Sequence, residues 1–271
     1  MGGSHMQKVL TFLLCIAFIA VLYVGQSHWN DKITGTSAQN KQTGTLKQGE
    51  SAKEEQALMD EQLLSLTKNW PAEAAKNFKK KLAAGDSFKI LFVGSPAIGT
   101  ETEGVFPLVK QGLLNAYGAD HLEVGLKTYN ATSNYLIKEN KAAEIAAEQA
   151  DLVVIEPFML KNNGLVSPAN TFNDLTKIIE DVRAAKSETV FIIQPSYPIF
   201  KANIYPQQTA QLKAFAEENQ LPYLDHWTAW PNANTEAIKE YITPDHKAVT
   251  EKGAGVWSRF LIEYFVHKGE S

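Results

Sequence analysis

The chain has 271 residues, 44% hydrophobic and 21% charged, with a net charge of -4. It is long enough to bury a sizeable core in one large domain or two small ones, and its acidic balance gives no hint of the basic patch or stripe of a nucleic-acid binder. The one cysteine, Cys15, excludes an intrachain disulfide framework and a cysteine zinc site.

Residues 1–6, MGGSHM, read as the remnant of an expression tag. Residues 7–27 hold the uncharged apolar run 9–24, VLTFLLCIAFIAVLYV, just short of the roughly 20 residues a membrane span wants. Lys8 precedes the run, and Tyr23 and Trp29 follow as interfacial residues, so an anchor here would leave the N-terminus inside the cell and the remainder outside. The rival reading is a cleaved signal peptide, with Gly25 and Ser27 as a loose small-x-small site and a secreted product. Residues 28–51 are rich in Ser, Thr, Gln, Asn, Gly and Lys without a visible period, the composition of a tether.

Residues 52–271 carry the periodic patterns of a folded domain. Amphipathic spacing predicts a helix over 52–70 and a second from Pro71 to about residue 84. From there strands and helices alternate: strands over 88–93, 122–128, 152–155, 190–193 and a short 222–224, with helices over 104–117, 132–149, 171–185, 206–219 and 250–267 between and after them. Such alternation predicts a three-layer α/β/α domain around a five-stranded parallel sheet. The organising stretch is FKILFVGSPAIGT, where a bounded apolar run closes on Gly94, Ser95 and Pro96.

Ligands of such sheets bind outside the carboxyl ends of the strands. Gly94 and Ser95 stand there after the first strand, Asn130, Thr132 and Ser133 after the second, and Glu156, Pro157, Asn162 and Asn163 after the third. Gln194 to Tyr197 follow the fourth strand, Asp225 and His226 the fifth, and Asp245 with His246 precedes the last helix. Trp227 and Trp230 either stack on a sugar ring or close a core edge. The turn after the first strand has neither the G-x-G-x-x-G spacing nor a phosphate-binding lysine. The chain shows no metal-ligand spacing, so no metal and no cofactor is expected.

This order of blocks resembles the SGNH (GDSL) hydrolase superfamily over about residues 88–267. GSPAIG sits where that family has its G-D-S turn, and EPFMLKNNG where it has G-x-N-D. Asp245, Gly253 and Trp257 sit where it has D-x-x-H, a glycine and a tryptophan-bearing helix. The resemblance implies a flavodoxin-like fold and hydrolysis or transfer of acyl esters of lipids, sugars or envelope polymers. Aligned on Gly94, the family's aspartate falls on Ser95 and its nucleophilic serine on Pro96; aligned on Gly253, its histidine falls on Ala248. An ester hydrolase in this chain would therefore use Ser95 as nucleophile and His246 as base beside Asp245, with Gly94, Asn130, Asn162 and Asn163 around the oxyanion or substrate. The expected protein is a membrane-anchored, outward-facing acyl esterase or acyltransferase acting on a small-molecule or glycan ester. The alternative is an inactive relative that binds an envelope glycan or a partner protein. Nucleic acid is not among the expected partners.

Overall fold

The computed structural model describes residues 44–269. The chain divides into two compact units, Met1–Ala57 and Leu58–Ser271. The described part of the first is the opening of helix α1 (Gly44–Leu66). This helix begins inside the stretch read above as a tether, because Leu, Lys, Gln, Glu and Ala favour helix even where little is buried. The apolar run 9–24 lies outside the described residues, and among the described residues no helix is long and apolar enough to cross a membrane.

The second unit contains α2 (Ala72–Ala84), β1 (Phe88–Gly94), α3 (Val105–Tyr117), β2 (Leu122–Thr128), α4 (Ser133–Lys138), α5 (Ala142–Ala146) and β3 (Leu152–Ile155). Then follow α6 (Met159–Asn162), α7 (Pro168–Ala185), β4 (Val190–Ile193), α8 (Tyr205–Glu218) and α9 (Glu251–Phe265). The helix expected over 132–149 is two helices. Asn140 takes the left-handed conformation between them (φ 52°), and Lys141 N–H closes the first on the Leu136 carbonyl.

The strands form one parallel sheet in the order β2-β1-β3-β4. The sheet has four strands, not the five expected. The fifth segment contributes a single parallel bridge between Ile193 and Tyr223, with the Ile193 N–H donating to the Pro222 carbonyl and the Leu224 N–H to the Ile193 carbonyl. Pro222 has no N–H for the ladder, and the chain turns into the 3-10 segment His226–Ala229 immediately afterwards.

Side-chain alternation places the two halves of the core. Phe88, Ile90 and Phe92 of β1 face a layer built on α2, α3 and α9, while Leu91 and Val93 face α4 to α8. Leu152 and Val154 of β3 repeat the first orientation, and Val153 and Ile155 the second. The central strands are apolar on both faces because helices cover both.

Trp70 braces the first layer. Its ring lies 5.4 to 5.7 Å from those of Phe78, Phe88, Tyr117 and Phe265, and its Nε1–H donates to the Phe265 carbonyl at 2.8 Å. The same carbonyl accepts the Tyr117 hydroxyl at 2.5 Å. Removing a buried tryptophan leaves a cavity and, here, takes one ring contact from each of four aromatic neighbours. Trp70→Ala should lower unfolding stability by about 3–5 kcal/mol in urea titration, whereas Trp70→Phe, which keeps a ring in the cluster, should cost clearly less.

Candidate functional site

The strand order reverses between β1 and β3, since the chain adds β2 on one side of β1 and β3 on the other. In an open α/β sheet this switch point opens a crevice at the carboxyl ends, where ligands bind. Here the crevice is occupied by the side chain of Glu156. Glu156 continues β3 by donating its backbone N–H to the Val93 carbonyl at 2.9 Å. Its Oε2 accepts the Ser95 N–H at 2.9 Å, and its Oε1 accepts the Met159 N–H at 3.2 Å. The carboxyl group thus ties the turn after β1 to the turn after β3, and the residue is fully buried.

Gly94 is where this contact demands glycine. A Cβ there would stand 3.0 Å from Glu156 Cβ and 3.2 Å from Oε2. The turn after β3 is strained as well. Phe158 is buried with a left-handed backbone (φ 61°), and its N–H donates to the Glu156 carbonyl at 2.9 Å. Bulky residues rarely hold that conformation, and such strain gathers at functional rims.

Burial pushes the Glu156 carboxyl above its ordinary value, offset in part by the Ser95 and Met159 bonds. Burial, with Glu156 adding to it, raises the pKa of the Tyr197 and Tyr205 hydroxyls.

Ser95 lies beneath the rim, 1% exposed. It caps the 3-10 turn Pro96–Ile98, its Oγ accepting the Ala97 N–H at 3.4 Å. Pro96, by contrast, is exposed. The turn thus presents the proline to solvent and keeps the serine inside.

The expected Asp245–His246 pair sits in a tight turn before α9, where Thr243 N–H donates to the Ala248 carbonyl and His246 N–H to the Thr243 carbonyl. The Asp245 carboxylate accepts the Thr243 hydroxyl at 2.6 Å and the Lys247 N–H at 3.2 Å. Those bonds, the Thr243 one foremost, hold its pKa below the ordinary value. Both bonds fall on Oδ1 and hold the carboxylate to its own turn, and among the described residues no hydrogen bond joins it to His246. His246 is half-buried with φ 59°, and its carbonyl accepts the Tyr197 hydroxyl at 3.2 Å, which fastens this turn to the end of β4. Ala248 is exposed.

Of the three asparagines expected at the oxyanion, Asn130 and Asn163 are exposed at turns after β2 and α6. Asn162 is buried and saturated. Its Oδ1 accepts the Ser133 N–H at 2.9 Å, and its Nδ2 donates to Ser133 Oγ at 2.9 Å and Thr171 Oγ1 at 2.8 Å. With Ser133 Oγ donating to Asp174 at 2.6 Å, this set latches α4, α6 and α7 together.

His226 is a core residue. Its ring stacks on Trp257 at 4.4 Å, Nδ1 accepts the Trp230 Nε1–H at 3.0 Å, and Nε2 therefore donates to the Pro195 carbonyl at 2.9 Å. Burial lowers its pKa to about 3, so it stays neutral. Trp230 is buried with it and closes the core edge. Among the described residues no group of three or more His, Cys, Asp or Glu side chains is placed to hold a metal ion.

Sequence reasoning placed Glu156 on the rim but gave it no role. The signal was a carboxylate directly after four apolar strand residues and before a proline.

No protein-family model matches the chain, and no curated protein matches it in sequence. Solved structures do match. A protein described as a GDSL-like lipase from Parabacteroides merdae is 14% identical with a TM-score of 0.55, over 66% of this chain and 95% of its own. A protein described as a lipolytic protein of the G-D-S-L family from Desulfitobacterium hafniense is 15% identical, TM-score 0.51, over 66% and 99%. An acetylxylan esterase from Geobacillus stearothermophilus is 16% identical, TM-score 0.52, over 69% and 96%. The fold is that of the SGNH (GDSL) hydrolases. At such identities the fold is what is shared.

The raised pKa of Glu156 has a sign. The folded state keeps its proton to higher pH than the unfolded chain, so this group's contribution is fully present below the unfolded carboxylate pKa. It is lost as pH rises through the folded value. Glu156→Gln should flatten the fall of melting temperature with rising pH above the ordinary carboxylate range. It should also lower stability in acid, because an amide cannot accept from both Ser95 and Met159 without turning a donor toward one of them. Calorimetric melts across pH for both proteins measure the two slopes.

Proposed function

We propose that this protein is a non-catalytic SGNH-fold binding protein, held on the outer face of the cell membrane by residues 7–27 and presenting its strand-end rim to an envelope glycan or a partner protein. The observation that carries this reading is the exposure of Pro96 above a buried Ser95. Proline has no nucleophile, and it also has no backbone N–H to hold an oxyanion. Three further features support it. Ala248 stands at the position where the resemblance puts the family's histidine, Asp245 bonds within its own turn, and both amide donors of Asn162 are given to neighbouring hydroxyls. Anchoring and outward orientation rest on the apolar run 9–24 and on Lys8 before it.

The second reading is an acyl esterase or acyltransferase. In its favour is the fold, shared with proteins described as lipases and as an acetylxylan esterase. It requires the rim to open over Ser95 and His246 to come within hydrogen-bond reach of the Ser95 hydroxyl.

Hydrolysis of p-nitrophenyl acetate separates the two. The full chain should release nitrophenol no faster than buffer, Ser95→Ala should match it, and a fluorophosphonate probe should leave Ser95 unlabelled. Turnover by the wild type that Ser95→Ala or His246→Ala abolishes would establish the esterase instead.

A further inference from the structure

A sheet edge presents a row of unpaired backbone groups, and folded proteins blunt such edges with prolines, bulges, short strands or covering elements. The two edges of this sheet differ. At β4 the segment after α8 lies against the edge through the bridge between Ile193 and Tyr223. At β2 no strand among the described residues does so: its seven residues, Leu122–Thr128, pair with β1 on one side only and include no proline.

The bonds at the two ends of β2 fix which residues face outward. Phe88 N–H donates to the His121 carbonyl at 2.9 Å, and Tyr129 N–H to the Gly94 carbonyl at 3.0 Å. The odd-numbered residues of β2 therefore turn their backbone groups toward β1, and Leu122, Val124, Leu126 and Thr128 turn theirs away. Of the outward N–H groups, only that of Leu122 finds a partner among the described residues, the Gly118 carbonyl at 3.1 Å.

The side chains of this edge complement a second copy of themselves. Glu123, Gly125 and Lys127 share one face of β2, while Leu122, Val124 and Leu126 share the other and pack on the core. A two-fold axis through Gly125, normal to the sheet, sets Glu123 opposite the partner's Lys127 and Val124 opposite the partner's Leu126. Val124 and Leu126, whose backbone groups point outward, then form the hydrogen-bonded pairs. Glu123 and Lys127 fall at the non-hydrogen-bonded pairs, where facing side chains come closest. An axis at Glu123 or at Lys127 would instead set like charges face to face.

The charges are already arranged in a ladder. Glu123 holds Lys89 at 2.8 Å, Lys89 holds Glu148 at 2.8 Å, and Glu148 holds Lys127 at 2.7 Å. Only Oε1 of Glu123 is engaged in it, and the side chain is 56% exposed. Pairing across the axis joins two such ladders into one. Gly125 fits the same register. Its φ lies outside the left-handed region, so its conformation does not call for glycine. A Cβ there would meet only the ends of flexible side chains, Leu91 Cδ1 at 3.2 Å and Lys89 Cε at 3.8 Å. Glycine inside a strand often marks a place where another backbone comes close.

We infer that two copies of this chain associate across their β2 edges, antiparallel and centred on Gly125, into one continuous sheet. The contact is isologous, so each ion pair and each backbone bond occurs twice.

The test weighs the full chain in a mild non-ionic detergent by light scattering across a concentration series. The wild type should reach the mass of a dimer. Glu123→Lys, which sets lysine against lysine, should weaken association by about tenfold or more, and the double exchange Glu123→Lys with Lys127→Glu should restore it. Cross-linking fixes the register, in a Cys15→Ser background with diamide as oxidant. Gly125→Cys should form a covalent dimer, because facing Cα atoms of such a pair stand about 4.5 Å apart. Thr128→Cys should not, because it lies about 20 Å from its counterpart. Circular dichroism melts should show each variant folded. The inference fails if the wild type stays monomeric to about 100 μM, which would leave the edge to an extended segment of another protein. It fails equally if folded Glu123→Lys dimerises as the wild type does, or if Thr128→Cys cross-links as readily as Gly125→Cys.

Discussion

One buried carboxyl group sets the character of the rim. A doubly wound sheet of order β2-β1-β3-β4 should open a ligand crevice between β1 and β3. In this chain Glu156 fills that place and binds the backbone of both flanking turns. The arrangement is costly, because a buried carboxyl loses its hydration and no cation among the described residues pairs with it. It is tolerated because each oxygen accepts a backbone N–H that would otherwise be buried without a partner. Gly94 leaves the room, and Phe158 bears the strain.

From that constraint the rest of the rim follows. With its N–H on Glu156, Ser95 is drawn under the surface and its hydroxyl caps the next turn, so the chain surfaces one residue later, at Pro96. On the far side of the rim, the Tyr197 hydroxyl holds the turn that carries Asp245 and His246 by a backbone carbonyl, while Asp245 completes that turn from within. Ser95 and Asp245, which an esterase would turn toward a substrate here, instead accept backbone N–H groups of their own turns. Beyond β4 the balance shifts, and several buried polar side-chain atoms, Ser196 Oγ and the Tyr223 hydroxyl among them, have no hydrogen-bond partner among the described residues. The sheet thus has a closed end at β1 and β3 and a polar one at β4.

The sequence made the sheet legible because β1, β3 and β4 are short apolar runs bounded by turn residues, buried on both faces. The fifth strand was overread. Apolar Leu221 and Leu224 flank Pro222, and a proline at the start of so short a segment leaves only one bridge. The break at Asn140 was missed because helical periodicity carries across it. For the site, Gly94 and Ser95 were legible as a turn at a strand end. The function of Glu156 was not, because the backbone N–H groups of Ser95 and Met159 hold its two oxygens and backbone donors leave no mark in a sequence. Asn162 misled for the opposite reason. An asparagine in a turn looks like a free donor, and its saturation depends on Ser133 and Thr171 arriving from other helices.

The most direct measurement is native-state hydrogen exchange of the Ser95 and Met159 amides, resolved by NMR. If Glu156 closes the crevice between β1 and β3, both amides exchange only as slowly as the core of β1 itself, and substituting Glu156 by alanine releases both together. A Ser95 amide that exchanges at the rate of the exposed loop after β2 would mean that the crevice stands open and that Ser95 is within reach of a ligand.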